Sequence, residues 1–143
     1  GVPMMQALLA RQTREDGTTD LSDVVAVVVR YFGGIKLGAG GLVRAYTDAV
    51  VQTLDGALFD SRERLRVGEV PSSHAEAGRL ENEMRAAGLN VLGTEYGAEG
   101  AVISVGVFDR AEELSRAEEL VVSLSSGAAS VTWGETQWVD LPV

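Results

Sequence analysis

The sequence predicts an α+β protein made of two consecutive units, residues 1–59 and residues 60–143. Three observations predict it. The first unit contains a valine-rich run followed by a glycine-rich loop and a helical stripe. The second unit alternates strand and helix patterns in the order βαββαβ. The chain has 143 residues, 45% hydrophobic and 23% charged, which is enough for two small domains with buried cores and is not typical of a disordered chain.

The first unit is predicted to begin with a helix and to continue into one strong strand. Met4, Leu8 and Leu9 recur at helical spacing through about residue 12, and a loop follows at residues 13–20. Residues 24–32 form a nearly continuous β-branched and aromatic run, typical of a strand covered on both faces. Such a strand needs a neighbour on each edge, and nothing else in residues 1–59 resembles a strand. We therefore expect its neighbours to precede Gly1, which leaves the sheet partly open or completed by another chain; the alternative is an edge strand donated by residues 60–143.

A glycine-rich loop and a second helix complete the first unit. Five glycines fall within residues 33–41, and a helix is predicted from Gly41 to about Phe59. Arg44 and Asp48 have the i,i+4 spacing of an ion pair on its polar side. The apolar stripe of this helix contains Leu42, Tyr46, Ala49, Val50, Leu54 and Leu58.

The second unit is predicted to be a ferredoxin-like βαββαβ domain with both helices on one face of a four-stranded antiparallel sheet. The predicted strands are residues 64–70, 89–96, 101–108 and 130–141, the last bulged at Gly134. Capping boxes are predicted at Ser73 with Glu76 and at Asp109 with Glu112. The predicted inward residues are Ala77, Leu80, Met84 and Ala87 on the first helix and Leu114, Ala117, Leu120, Val121 and Leu124 on the second. Core positions are expected for Trp133 and Trp138, with sheet-face anchors for a partner as the alternative.

Composition excludes several kinds of site. The chain has no cysteine, so disulfides, thiolate nucleophiles and thiolate zinc sites are excluded, and its single histidine, His74, leaves no second imidazole for a metal site. We predict no catalytic residues, no metal and no cofactor. Asp20 and Asp23 could be interpreted as general bases, but we expect them to be solvated loop carboxylates. Glu112, Glu113, Glu118 and Glu119 are expected on a solvated helix face.

The net charge of −9 is unevenly distributed. Residues 1–59 carry six acidic and five basic residues, whereas residues 60–143 carry fifteen acidic and seven basic residues. No acidic residue lies between Asp23 and Asp48, although Arg30, Lys36 and Arg44 do. A cationic segment is therefore embedded in an acidic protein, which argues against generic nucleic-acid binding over the whole surface.

A strand, a glycine-rich turn and a helix N-terminus in succession are typical of an anion site, because the first helical N–H groups point outward. The established phosphate-loop spacings are absent here, and an alternative is that the glycines serve only a tight backbone path. Tyr31 and Phe32 are candidates for base stacking, with core packing of one of them as the alternative. The predicted ligand-binding residues are Arg30, Tyr31, Lys36, Gly38, Gly40, Gly41 and Arg44.

Residues 24–46, VVAVVVRYFGGIKLGAGGLVRAY, closely resemble the signature of the Impact/YigZ family. Gly1 resembles the end of an upstream acidic glycine-rich family motif, whereas Val29 stands where the family usually has threonine. The resemblance implies that residues 1–59 are the C-terminal part of a domain like the second domain of ribosomal protein S-five. It also implies that about sixty residues precede Gly1. It implies that residues 60–143 are the smaller domain of bacterial members.

Eukaryotic members of the family regulate translation, so the resemblance predicts a non-enzymatic cytoplasmic regulator that binds RNA or ribosome-associated factors. The first alternative is a small-anion or nucleotide site at the same loop, even in an enzyme; the second is a protein-interaction module without a ligand. A protein partner is predicted for the acidic residues 60–143, which repel phosphate. No apolar run approaches 18 residues, so no membrane partner is expected.

Overall fold

The computed structural model describes residues 1–142, which divide into two compact units. The first is Gly1–Leu58 and the second begins at Phe59, one residue before the boundary drawn from the sequence. The fold is mixed α and β, with four helices and one four-stranded antiparallel sheet among the described residues.

The first unit consists of helices α1 (Val2–Ala10) and α2 (Gly38–Asp55) joined by a long irregular segment. Ala7 of α1 packs with Val50 and Leu54 of α2 in a small apolar core. The flanking half-buried side chains of that core belong to Met4, Leu8, Leu21 and Val28. Both helices are shorter at their C-terminal ends than predicted. Helix α2 ends at Asp55, with Gly56 as its C-cap, and Leu58 is fully exposed outside it.

The predicted strand at residues 24–32 is wrong for this chain: the segment has no regular secondary structure and belongs to no sheet. Its side chains still alternate, with Ala26 and Val28 partly covered and Val25, Val27 and Val29 each at least 80% exposed. Local β propensity is therefore present, but a strand forms only when a second backbone supplies hydrogen bonds. No neighbouring strand exists among residues 1–58, as the sequence predicted.

The second unit contains β1 (Asp60–Ser72), α3 (His74–Ala86), β2 (Asn90–Tyr96), β3 (Ala101–Phe108), α4 (Ala111–Leu124) and β4 (Thr132–Pro142). The predicted βαββαβ order is confirmed. The sheet order is β2-β3-β1-β4, and every pairing is antiparallel. β1 pairs with β3 from Leu65 onward, whereas it pairs with β4 from Asp60 onward. The first five residues of β1 thus form a two-stranded ribbon with the end of β4.

Both helices pack on the same face of this sheet. The core contains Leu80 and Met84 of α3 and Val121 of α4 against the sheet residues Val70 and Ile103. The predicted inward faces of α3 and α4 are thus confirmed at their central positions. Leu114, Leu120 and Leu124 of α4 are only half-buried, as is Ala87 beyond α3. Close packing makes this cluster the main source of stability for the second unit.

At one of the two predicted capping boxes the N-cap hydrogen bond forms, while the Glu76 carboxylate pairs with Arg79. Ser73 caps α3, and its hydroxyl accepts a hydrogen bond from the Glu76 backbone N–H at 3.3 Å. The prediction for Asp109 is wrong, because its carboxylate accepts three hydrogen bonds of 3.0–3.2 Å from Arg66 and the N-cap position of α4 is Arg110. A charge-assisted bidentate pair outcompetes a helix cap for the same oxygens.

The predicted bulge at Gly134 is confirmed. Arg66 pairs with Thr136, and Gly68 pairs with Trp133. Gly134 and Glu135 on β4 therefore lie opposite the single residue Val67 on β1, which is a bulge. Gly68 itself is required by packing, since a Cβ there would lie 2.8 Å from the ring of Trp133.

The two tryptophans differ in burial. Trp133 is half-buried against the core, and its indole N–H donates to the Glu118 carboxylate at 2.7 Å. Trp138 is 63% exposed, so the core position predicted for it is wrong. The reason is its place in the ribbon, beyond the part of β1 that the helices cover.

Candidate functional site: the cationic loop surface

Residues 30–46 form the candidate site, which we call the loop surface. All ten residues from Tyr31 to Gly40 are exposed. Gly33, Gly34 and Gly38 have φ values of +107°, +83° and +72°, a region that favours glycine. These three glycines give the loop its backbone path between residues 24–32 and α2.

Helix α2 begins at Gly38, three residues earlier than predicted. Gly38, Gly40 and Gly41 therefore all lie in the first helical turn, where backbone N–H groups lack intrahelical acceptors. The N-cap residue is Leu37, which has no side-chain acceptor, and the first turn carries no acidic residue. This end of α2 is open to an external anion and keeps the favourable sign of the helix dipole.

Gly40 and Gly41 differ in what they require. A Cβ on Gly41 would lie 2.9 Å from the Cβ of Leu37, so that glycine permits a close approach within the loop. A Cβ on Gly40 would meet no atom within 4 Å. The packing alternative for the glycines therefore applies to Gly41 and not to Gly40.

The three cations of the loop surface are exposed, and none forms an ion pair with a described residue. The ion pair predicted from the spacing of Arg44 and Asp48 does not form; both side chains stay in solvent, where such a pair gains little. Arg30 places its guanidinium carbon 4.6 Å from the centre of the Phe32 ring, a cation–π contact. Arg30, Lys36 and Arg44 therefore keep their charge available.

The aromatic residues of the loop surface are exposed, Tyr31 at 96% and Phe32 at 87%. The expectation that one of the two packs in a core is wrong for the described chain, because the segment that carries them has no sheet around it. A cavity of about 720 Å³ lies within this unit, between the loop and the start of α2. Arg30, Tyr31 and Lys36 line it together with Leu42 and Tyr46 of α2. Four of the seven predicted residues thus line the cavity, Arg30, Tyr31, Lys36 and Gly38, whereas Gly40, Gly41 and Arg44 do not.

The other candidate groups lie in ordinary surroundings. His74 is the exposed first residue of α3 and stacks on Tyr96, with ring centres 6.4 Å apart. The pKa of Asp20 is lowered, first by a hydrogen bond from the Thr13 hydroxyl and then by the charge of Arg14. No cluster of three or more metal-ligating side chains occurs among residues 1–142, and no helix in that range is long and apolar enough to cross a membrane.

Sequence reasoning missed a second cationic feature. Arg62, Arg64 and Arg66 alternate along β1 and so lie on one face, where Arg64 is directly opposite Trp138 on β4. The period of two was visible in the sequence. The overall acidity of residues 60–143 masked it, and only strand pairing placed an exposed tryptophan beside it.

The loop surface lies within the part of the chain that a protein-family model matches. The family model described as the Impact N-terminal domain matches residues 1–54. The chain is 31% identical over all 143 residues to the IMPACT family member YvyE of Bacillus subtilis, and it spans 61% of that protein's length. Over 54 residues it is 52% identical to an IMPACT family member of Haemophilus influenzae and 44% identical to IMPACT family member YigZ of Escherichia coli, with 38% of this chain and 22% of each relative covered. On these similarities, residues 1–54 carry an Impact N-terminal domain, in a chain that is similar over its full length to an IMPACT family member.

Proposed function

We propose that this chain is a non-enzymatic, cytoplasmic regulatory protein that binds RNA or an RNA-containing part of the translation apparatus through the loop surface. One observation carries the proposal: three exposed cations without ion pairs flank, along the chain, a helix N-terminus that has no acidic residue and no side-chain cap. Lys36 and Arg44 contact phosphate oxygens, while the N–H groups of Gly40 and Gly41 face the same anion. Tyr31 offers an exposed ring to a base. The connection to translation rests on the family resemblance.

The finer fold assignment belongs to the same proposal. We assign residues 1–59 to the C-terminal part of a domain like the second domain of ribosomal protein S-five, and residues 60–143 to the ferredoxin-like class. The strand order β2-β3-β1-β4 with both helices on one face supports the second assignment. The unpaired, alternating segment at residues 24–32 supports the first, because it has the pattern of a strand without its sheet.

The cavity favours a second candidate function. About 720 Å³ lined by Arg30, Tyr31 and Lys36 has the size and charge for a nucleotide or another small organic anion. In this alternative the loop surface takes a small molecule instead of a polymer. The third alternative, a protein partner on the acidic second unit, predicts binding that no loop variant changes.

Salt dependence of RNA binding tests the leading proposal. Three cation–phosphate contacts on a single strand give a slope of about −2 in a plot of log K against log salt, so affinity falls about 20-fold between 50 and 200 mM salt. Lys36→Ala removes one contact and reduces the fall to about 7-fold. Its thermal stability stays unchanged, because the exposed lysine has no packing to lose.

Two controls decide between the alternatives. Arg116→Ala removes one exposed charge from α4 and leaves binding unchanged if the loop surface is the site. Gly40→Ala should leave the melting temperature unchanged, because the new Cβ meets no atom within 4 Å. Unfolding of this variant would favour the alternative that the glycines serve packing. Titration with nucleotides in place of RNA tests the second candidate. RNA binding by Lys36→Ala with the original slope would refute the proposed site.

A further inference from the structure

The β1–β4 ribbon carries an exposed cationic and aromatic surface in the second unit. We call Arg62, Arg64, Thr136 and Trp138 the Arg–Trp ledge. Alternate residues of β1 share a face, so Arg62 and Arg64 lie on the same side of the sheet as Val70. Val70 is the only β1 residue in the core beneath the helices. The ledge is therefore on the helix side of the sheet, beyond the part that the helices cover. Its side chains share a face because they alternate along β1 or lie directly opposite on β4.

Arg64 is the unneutralised cation of the ledge. Arg66, next to the ledge, is held by the Asp109 carboxylate and by the Gly134 carbonyl. Arg62 is 3.5 Å from Asp140. Arg64 forms no ion pair with any described residue, and its Nε donates to the Thr136 hydroxyl at 3.0 Å. That single hydrogen bond fixes the guanidinium on the face of the ribbon and leaves its remaining N–H groups for a ligand.

Trp138 supplies the second half of a recognition surface. It is 63% exposed and directly opposite Arg64, so a large aromatic ring shares a face with a guanidinium that has no ion pair. An exposed aromatic ring beside a cation suits single-stranded nucleic acid, because a base stacks on the ring while the adjoining phosphate takes the charge. A purely acidic peptide would pair with Arg64 but would leave the indole without a planar partner.

The acidity of the unit does not prevent this contact. Seven of its fifteen acidic residues lie on α3 and α4 rather than on the ribbon. On the ledge face, Asp140 is neutralised by Arg62, and Asp60 lies four residues, or about 13 Å, from Arg64 along the strand. The contact is short, covering one or two nucleotides.

We propose that the Arg–Trp ledge binds single-stranded nucleic acid, with a base stacked on Trp138 and a phosphate on Arg64. This contact lies in a different unit from the loop surface and does not depend on it. The expected loss on removing one stacked base is about 5- to 150-fold in affinity.

The test uses the whole chain and a fluorescein-labelled 12-nucleotide RNA of mixed sequence, with binding measured by anisotropy. Trp138→Leu and Arg64→Gln should each weaken binding at least about 5-fold. Arg116→Gln, which removes the same charge from α4, should leave the affinity unchanged. In a Trp133→Phe background Trp138 is the only tryptophan, and stacking should quench its fluorescence on RNA addition.

Three outcomes would each overturn the proposal for the ledge. The unaltered chain does not bind the RNA, or Trp138→Leu binds it with unchanged affinity, or the chain binds a peptide with glutamate at alternate positions and not the RNA. The two proposals fail separately: loss of binding in Lys36→Ala with none in Trp138→Leu retains the loop surface alone, and the reverse retains the ledge alone. Folding of the variants is checked by circular dichroism. Because the Arg64 and Trp138 side chains are exposed, we expect neither substitution to unfold the chain.

Discussion

Truncation of Leu80 to alanine tests the packing of the second unit. Leu80 lies on α3, is 2% exposed and belongs to the main core. Leu80→Ala removes three carbons from a closely packed site, which costs about 2–5 kcal/mol from lost burial and the remaining cavity. A unit of this size has a free energy of unfolding of about 4–13 kcal/mol, so the substitution removes a large part of it.

Urea unfolding followed by tryptophan fluorescence is the suitable assay, because both tryptophans of the chain lie in the second unit. The signal therefore reports the unfolding of that unit. The midpoint should fall without a change in the urea dependence, and the melting temperature should fall by at least about 8 °C.

Leu120→Ala is the matched control. Leu120 lies on α4 and is half-buried, so its truncation should cost only about 1 kcal/mol. A cost below about 0.5 kcal/mol for Leu80→Ala, or an equal cost for the two variants, would show that the helix faces are assigned incorrectly.

Two further predictions concern packing and pH. Gly68→Ala should destabilise the second unit by about 1–3 kcal/mol, because the new Cβ would lie 2.8 Å from the Trp133 ring; a melting temperature equal to that of the unaltered chain would contradict this packing. The pKa of Asp16 is lowered below its usual 3.8, first by the Thr18 hydroxyl, so Thr18→Val should raise that pKa toward 3.8 in an NMR titration. A lowered carboxyl pKa stabilises the folded loop above pH 3.8, and this contribution is lost as the pH falls through the folded value. An unchanged Asp16 titration in Thr18→Val would refute the stated cause.

The sequence determined the elements whose signals are local. Ser73 with Glu76 predicted the start of α3, and the 3.6-residue period predicted that Leu80 and Met84 face the core. The glycines and cations of the loop surface were also identified from sequence, because the site is built from one continuous segment.

Tertiary structure decided every feature that depends on residues distant in the chain. Asp109 could cap α4 or pair with Arg66, and only the β1–β3 register shows that Arg66 takes it. Burial of Trp138 depends on where the helices end above the sheet, which no local period reveals. Val27 has the β propensity of a strand residue, yet it is 80% exposed. A strand needs a partner strand for its backbone hydrogen bonds, and no strand lies beside Val27 to form a sheet that would cover it. Periodicity specifies which side of an element is apolar, whereas pairing across the chain determines what, if anything, covers that side.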